Sequence, residues 1–101
     1  MAAAGTRIEY APRVAEDFAR IVAHLLAHEA EGIEARLEAI ESAIELLVSS
    51  PAIGRPVADG QRELVIGKGS QGYVARYRYL AELDLVIVLA IRAQREQRYR
   101  G

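Results

Sequence analysis

Apolar residues recur at Val14, Phe18, Ile21 and Leu25, and again at Ile33, Leu37, Ile40, Ile44 and Leu47. Steps of three and four residues place each set along one stripe of a helix, so the spacing predicts two helices with one apolar side each. Between them, His28-Glu-Ala-Glu-Gly32 interrupts the pattern, with Gly32 as the hinge. Pro12 suits the first turn of the first helix, where its missing N–H is not needed. Ser49-Ser50-Pro51 ends the second, because proline lacks the donor and disfavours helix in the residue before it.

The period elsewhere is two. Thr6 to Ala11 reads as a short strand in which Ile8 and Tyr10 point one way and Arg7 and Glu9 the other. Pro51 to Gln61 reads as a loop, and Arg62 to Ile66 as a strand. Gly67-Lys-Gly-Ser-Gln-Gly72 is a turn. Tyr73 to Tyr79 is a strand with Tyr73, Ala75, Tyr77 and Tyr79 on one face and Val74, Arg76 and Arg78 on the other. Ala81-Glu-Leu-Asp84 turns again, and the nearly all-aliphatic Leu85 to Arg92 has the character of a central strand. The order is strand, two-helix hairpin, three-stranded antiparallel meander. Helices segregated to one face of a sheet make an α+β fold. The first strand joins either the edge of the meander or its last strand; the pattern does not choose. Residues 6–99 are expected to form one domain, with flexible ends at 1–5 and 100–101.

Composition narrows the function classes. Without cysteine there is no disulfide framework and no thiol chemistry. No apolar run is long enough to cross a bilayer. The net charge of −1 conceals an asymmetry. Residues 1–61 carry five basic and ten acidic side chains, net −5; residues 62–101 carry eight and four, net +4. Glu34, Glu38, Glu41 and Glu45 make the exposed side of the second helix acidic. Arg92, Arg95, Arg98 and Arg100 crowd the C-terminal end. An arginine-rich half suits an acidic partner, because the guanidinium fork matches carboxylates and phosphates.

Two apparent motifs do not survive inspection. Gly67-x-Gly69-x-x-Gly72 has the literal dinucleotide spacing, but a strand follows it where that chemistry needs a helix N-terminus. His24 and His28 are four apart on a helix, yet no third metal ligand accompanies them. No cofactor and no metal are expected.

The ordered set Ser50-Pro-Ala-Ile-Gly-Arg-Pro-Val57, Arg62-Glu-Leu, Gly72-Tyr-Val-Ala-Arg-Tyr-Arg-Tyr79 and Ala90-Ile-Arg-Ala-Gln-Arg-Glu96 resembles the RelE/ParE toxins of type II toxin–antitoxin systems. The opening Ile-Glu-Tyr-Ala-Pro-Arg and the helix after it fit as well. No single motif is specific; the order is. The resemblance implies a growth-inhibiting toxin of the cytoplasm, neutralised by a cognate antitoxin of the ribbon-helix-helix type. It implies no membrane partner, and DNA contact only through the antitoxin. RelE-like members cut messenger RNA on the ribosome, whereas some ParE-like members inhibit DNA gyrase.

Fold alone cannot choose between the branches. The nuclease branch places an arginine just after the Gly-Tyr step, where this chain has Val74. It often has a histidine after the last strand, where this chain has Ala93. Cations are present while a proton-transfer pair is missing, which favours a ParE-like binder without catalytic residues. The expected target-binding set is Arg92, Arg95, Arg98 and Tyr99. The alternative, a metal-independent, ribosome-dependent endoribonuclease, would use Arg62, Arg76, Arg95 and Tyr99.

Overall fold

The computed structural model describes residues 5–28 and 30–94. Strand β1 (Arg7–Tyr10) leads into helices α1 (Arg13–Ala27) and α2 (Ile33–Ser49). Then come β2 (Arg55–Pro56), β3 (Gln61–Ile66), β4 (Tyr73–Leu80) and β5 (Leu85–Ala93). The strands form one mixed sheet in the order β1-β5-β4-β3-β2. The α+β class and element order follow the hydrophobic pattern. The sheet has five strands because two residues of the expected loop, Arg55 and Pro56, pair antiparallel with Glu63 and Arg62.

Strand β1 pairs with β5, and does so in parallel, from Arg7 opposite Leu85 to Tyr10 opposite Val88. Its start is fixed from two sides. The Thr6 N–H donates to the Val48 carbonyl, and the Thr6 hydroxyl donates to Asp84 Oδ1 at 2.9 Å. Asp84 occupies the left-handed region at φ 51°, which closes the turn between β4 and β5.

The hairpin break behaves as the sequence suggests. Gly32 adopts φ 69° in open space, so conformation and not crowding calls for glycine there. Helix α1 lies against β5, and α2 lies against β3 and β1. The core between helices and sheet holds Val14, Ile21, Leu25, Ile40, Ile44 and Leu47 facing Leu64, Ile66, Ala75, Tyr77, Val86 and Val88. Phe18, an expected core residue, is only partly buried against it.

Tyr77 is fully buried and ties the β2 loop to the core. Its hydroxyl donates to the Pro51 carbonyl at 2.8 Å and accepts from the Gly54 N–H at 2.9 Å. A Cβ on Gly54 would stand 2.7 Å from the Tyr77 ring and 2.9 Å from the Glu63 carbonyl, so only glycine allows this approach.

Candidate functional site

The outer face of the sheet, away from the helices, is built by the alternation of its strands. Leu64 and Ile66 enter the core, so Glu63 and Val65 of β3 face out. Tyr73, Ala75 and Tyr77 enter the core, so Val74, Arg76 and Arg78 of β4 face out. On β5, Val86 and Val88 enter the core, and unbroken alternation would send Ala90 and Arg92 after them. The ladder is irregular at this point. Arg76 stands opposite Ala90 and Tyr77 opposite Val88, leaving Leu89 over. One extra residue shifts the phase, so that Ile91 is buried and Arg92 turns outward.

That shift is held by a buried carboxylate. Asp17 on α1 is 1% exposed, and its Oδ2 accepts the Ile91 N–H at 2.9 Å. Arg20 donates to Asp17 Oδ1 at 2.9 Å and to the Ile91 carbonyl at 3.3 Å. The pairing of β1 with β5 stops at Val88, so these two side chains take the place of a strand along the next stretch of β5. Burial pushes the Asp17 carboxyl up. The Ile91 N–H and the neighbouring Arg20 and Arg13 outweigh it, leaving the group below the usual range for aspartate.

On the outer face, four strands converge on a second buried carboxylate. Glu63 is 3% exposed. Its Oε2 accepts from Arg76 at 2.6 Å and from Arg92 at 3.2 Å, and its Oε1 accepts from Arg55 at 3.1 Å. Burial raises this carboxyl, but the hydrogen bonds from Arg76 and Arg55, the Arg76 charge and the Arg92 bond together hold it below the usual glutamate range. Three guanidinium groups against one carboxylate leave an excess of two positive charges. Arg78, next along β4, adds a further cation with no ion pair among the described residues. Each guanidinium carries five N–H donors, so donors remain after Glu63 is served. The Arg76 Nε is sealed in without an acceptor. Such a cluster can bind carboxylates or phosphates. Glu63 is a poor general base, because its proton affinity is lowered and its oxygens are occupied.

The family model for the ParE toxin of type II toxin–antitoxin systems, parDE, matches residues 8–98. The chain belongs to the ParE toxin family. A search among curated proteins returned no match. Membership implies an antitoxin as partner. The matched span of this ParE-family toxin covers every helix and the strands that carry the Glu63 cluster. No helix among the described residues is long and apolar enough to cross a membrane.

The expected site residues divide. Arg92 joins Arg76 at Glu63, where its guanidinium serves an internal ion pair. Arg62 stands opposite Tyr77 on the helix side and donates to the Ala52 and Gly54 carbonyls at 3.0 and 2.7 Å. Arg62 and Arg76 therefore lie on opposite faces of the sheet, and the described part of the nuclease set is not brought together. Arg95, Arg98 and Tyr99 lie outside the described residues. Glu63, Arg55 and Asp17 were not anticipated. Meander register alone would have put Glu63 beside Arg76. Arg92 requires the bulge, and Arg55 requires a strand inside an apparent loop.

Proposed function

We propose that this ParE-family toxin arrests growth by binding a macromolecular target, DNA gyrase by family resemblance, through the cationic outer face of its sheet. The target-binding residues are Arg92, at the Glu63 cluster, and Arg95, Arg98 and Tyr99, which lie outside the described residues. A cognate antitoxin of the ribbon-helix-helix type neutralises the toxin by laying acidic and apolar side chains over the same chain, and it alone contacts DNA. Both act in the cytoplasm. The observation that carries this reading is the convergence of Arg55, Arg76 and Arg92 on one ionised carboxylate. It orients a surplus of guanidinium donors, and among the described residues the carboxylate beside them is a poor base, which favours a binder.

The test is a supercoiling assay with purified gyrase and the full chain, run beside Arg92→Ala/Arg95→Ala. The parent should inhibit supercoiling. The double variant should need at least about tenfold more protein while still melting cooperatively. Undisturbed supercoiling at a large excess of parent chain would remove gyrase as the target. Messenger RNA fragments appearing within minutes of induction would put the nuclease reading in its place.

A further inference from the structure

A cavity of about 180 Å³ opens on the helix side of the sheet, between the end of α1, the first turns of α2 and the start of β4. It lies across the sheet from the Glu63 cluster. Leu25, Ala30 and Ala93 supply apolar wall. The polar wall combines Arg36 and the Tyr73 hydroxyl, which can donate, with Gln71 and the imidazoles of His24 and His28, which can donate or accept. No aspartate or glutamate lines it among the described residues, although Glu34 and Glu38 stand nearby on the same helix as Arg36.

Two of these groups are unpartnered. Tyr73 is 6% exposed, yet its hydroxyl makes no hydrogen bond among the described residues. Tyr77, four residues along the same face of β4, has two. Arg36 is half-buried, and its guanidinium forms no ion pair or hydrogen bond among the described residues, in contrast to the three arginines that serve Glu63. The rings of His24 and His28 lie 4.2 Å apart, tilted by 36°, and His28 Nδ1 lies 2.9 Å from the His24 carbonyl, which assigns Nδ1 the proton and leaves Nε2 of the neutral ring as an acceptor.

A wall with the fixed positive charge of Arg36 and the Tyr73 hydroxyl as a donor selects an anion. Phosphate holds its hydration strongly and finds no use for Leu25, Ala30 and Ala93, whereas a carboxylate on a compact apolar body uses both kinds of wall. Arginine adds the bidentate match to a planar carboxylate. We propose that this cavity binds a small organic carboxylate, with Arg36 taking the anionic group, Tyr73 donating to it, and the apolar wall covering the hydrocarbon part.

The experiment is an NMR titration of the full chain with benzoate, reading the amides of Gln71, Gly72, Tyr73 and Ala93, with chloride matched for ionic strength. Saturable shifts with a Kd of the order of ~1 mM are expected. Benzamide, the same shape without the charge, should bind at least about tenfold more weakly. Arg36→Met should lose binding by a similar factor, and Tyr73→Phe should lose several-fold while keeping the ring that packs in the core. Arg7→Ala, far along β1, should bind as the parent does. N-acetylphenylalanine separates the two sources of such a group: saturable binding extends the site to a peptide terminus, and exclusion restricts it to free acids. Unsaturable shifts, equal affinity for benzamide, equal or tighter binding of inorganic phosphate at these amides, or an Arg36→Met variant that binds as before would each overturn the proposal. Because the readout is independent of gyrase, its failure leaves the outer-face reading untouched.

Discussion

Asp17 and Glu63 are the same device put to two uses. Each is a carboxylate almost wholly out of solvent, ringed by arginines and held below its ordinary pKa. Around Asp17, one oxygen goes to the Ile91 backbone, and Arg20 also reaches a backbone carbonyl, so the cluster is spent on the strand. Around Glu63 no backbone group is served among the described residues; the bonds are to arginines of β2, β4 and β5. The first cluster replaces a missing strand. The second aligns cations on the outer face of the sheet. A buried charge that binds backbone is a structural member, and one that binds only other charges leaves their remaining donors for something else.

The largest effects should separate these roles. Asp17→Ala strands the Ile91 N–H beside Arg20 and should cost about 3–4 kcal/mol. In a chain of this length that lowers the melting temperature by roughly 10–20 °C, measurable by circular dichroism. Glu63→Gln keeps the shape but leaves one weaker acceptor oxygen and sets an NH2 donor against the arginines, with three guanidinium groups in mutual repulsion; these are partly solvated, so about 2–3 kcal/mol is expected from urea unfolding. Function should split the other way. Asp17→Asn should bind target like the parent per folded molecule, whereas Glu63→Gln should bind more weakly, since its arginines lose their orientation. Equal binding by both would mean that the Glu63 cluster is also merely structural.

The sequence carries these two clusters unequally. The outward phase of β3 and β4 is plain in the alternation of Leu64 and Ile66 with Glu63, and of Tyr73, Ala75 and Tyr77 with Arg76. The Glu63–Arg76 contact then needs only the meander register. Arg92 is different. By alternation from Val86 and Val88 it belongs inside, and only the extra Leu89 turns it outward; in the all-aliphatic run Leu85 to Ile91 nothing marks where a bulge falls. Asp17 was hidden by its neighbours, because Phe18 completes the expected apolar stripe. The true buried stripe passes through Asp17 and leaves Phe18 at its margin. The two helices and the main strands rest on long periodic segments, and they are legible for that reason. Charges buried by long-range contacts have no period.

Acid should weaken both clusters. Each carboxyl has its folded pKa below its unfolded value of about 3.9 for Asp or 4.3 for Glu. Their stabilisation is therefore complete above those unfolded values and is lost as pH falls through the folded ones. Urea melts should give a flat profile from neutral pH down to about 5 and a decline below about 4. Asp17→Asn and Glu63→Gln should each flatten part of that decline, and the double variant should flatten it further. A decline unchanged in both would assign it to other carboxyls, such as the row on α2.

The smallest expected effects make the sharpest contrast. The outermost arginine of each cluster is mostly solvated: Arg13 at Asp17 is 69% exposed and Arg55 at Glu63 is 61% exposed. Exposed pairs of this kind contribute little, so Arg13→Ala and Arg55→Ala should each stay within about 0.5–1 kcal/mol of the parent in urea unfolding. Stability cannot tell them apart; salt-dependent binding can. Arg55 stands on the cationic face, and its loss should weaken target binding by several-fold at low ionic strength, with the difference shrinking as salt is added. Arg13 stands on the helix side, and its loss should leave the titration unchanged at every salt concentration. If the two variants bind alike, the target does not approach the face that Arg55 borders, and the contact must be sought elsewhere on the toxin.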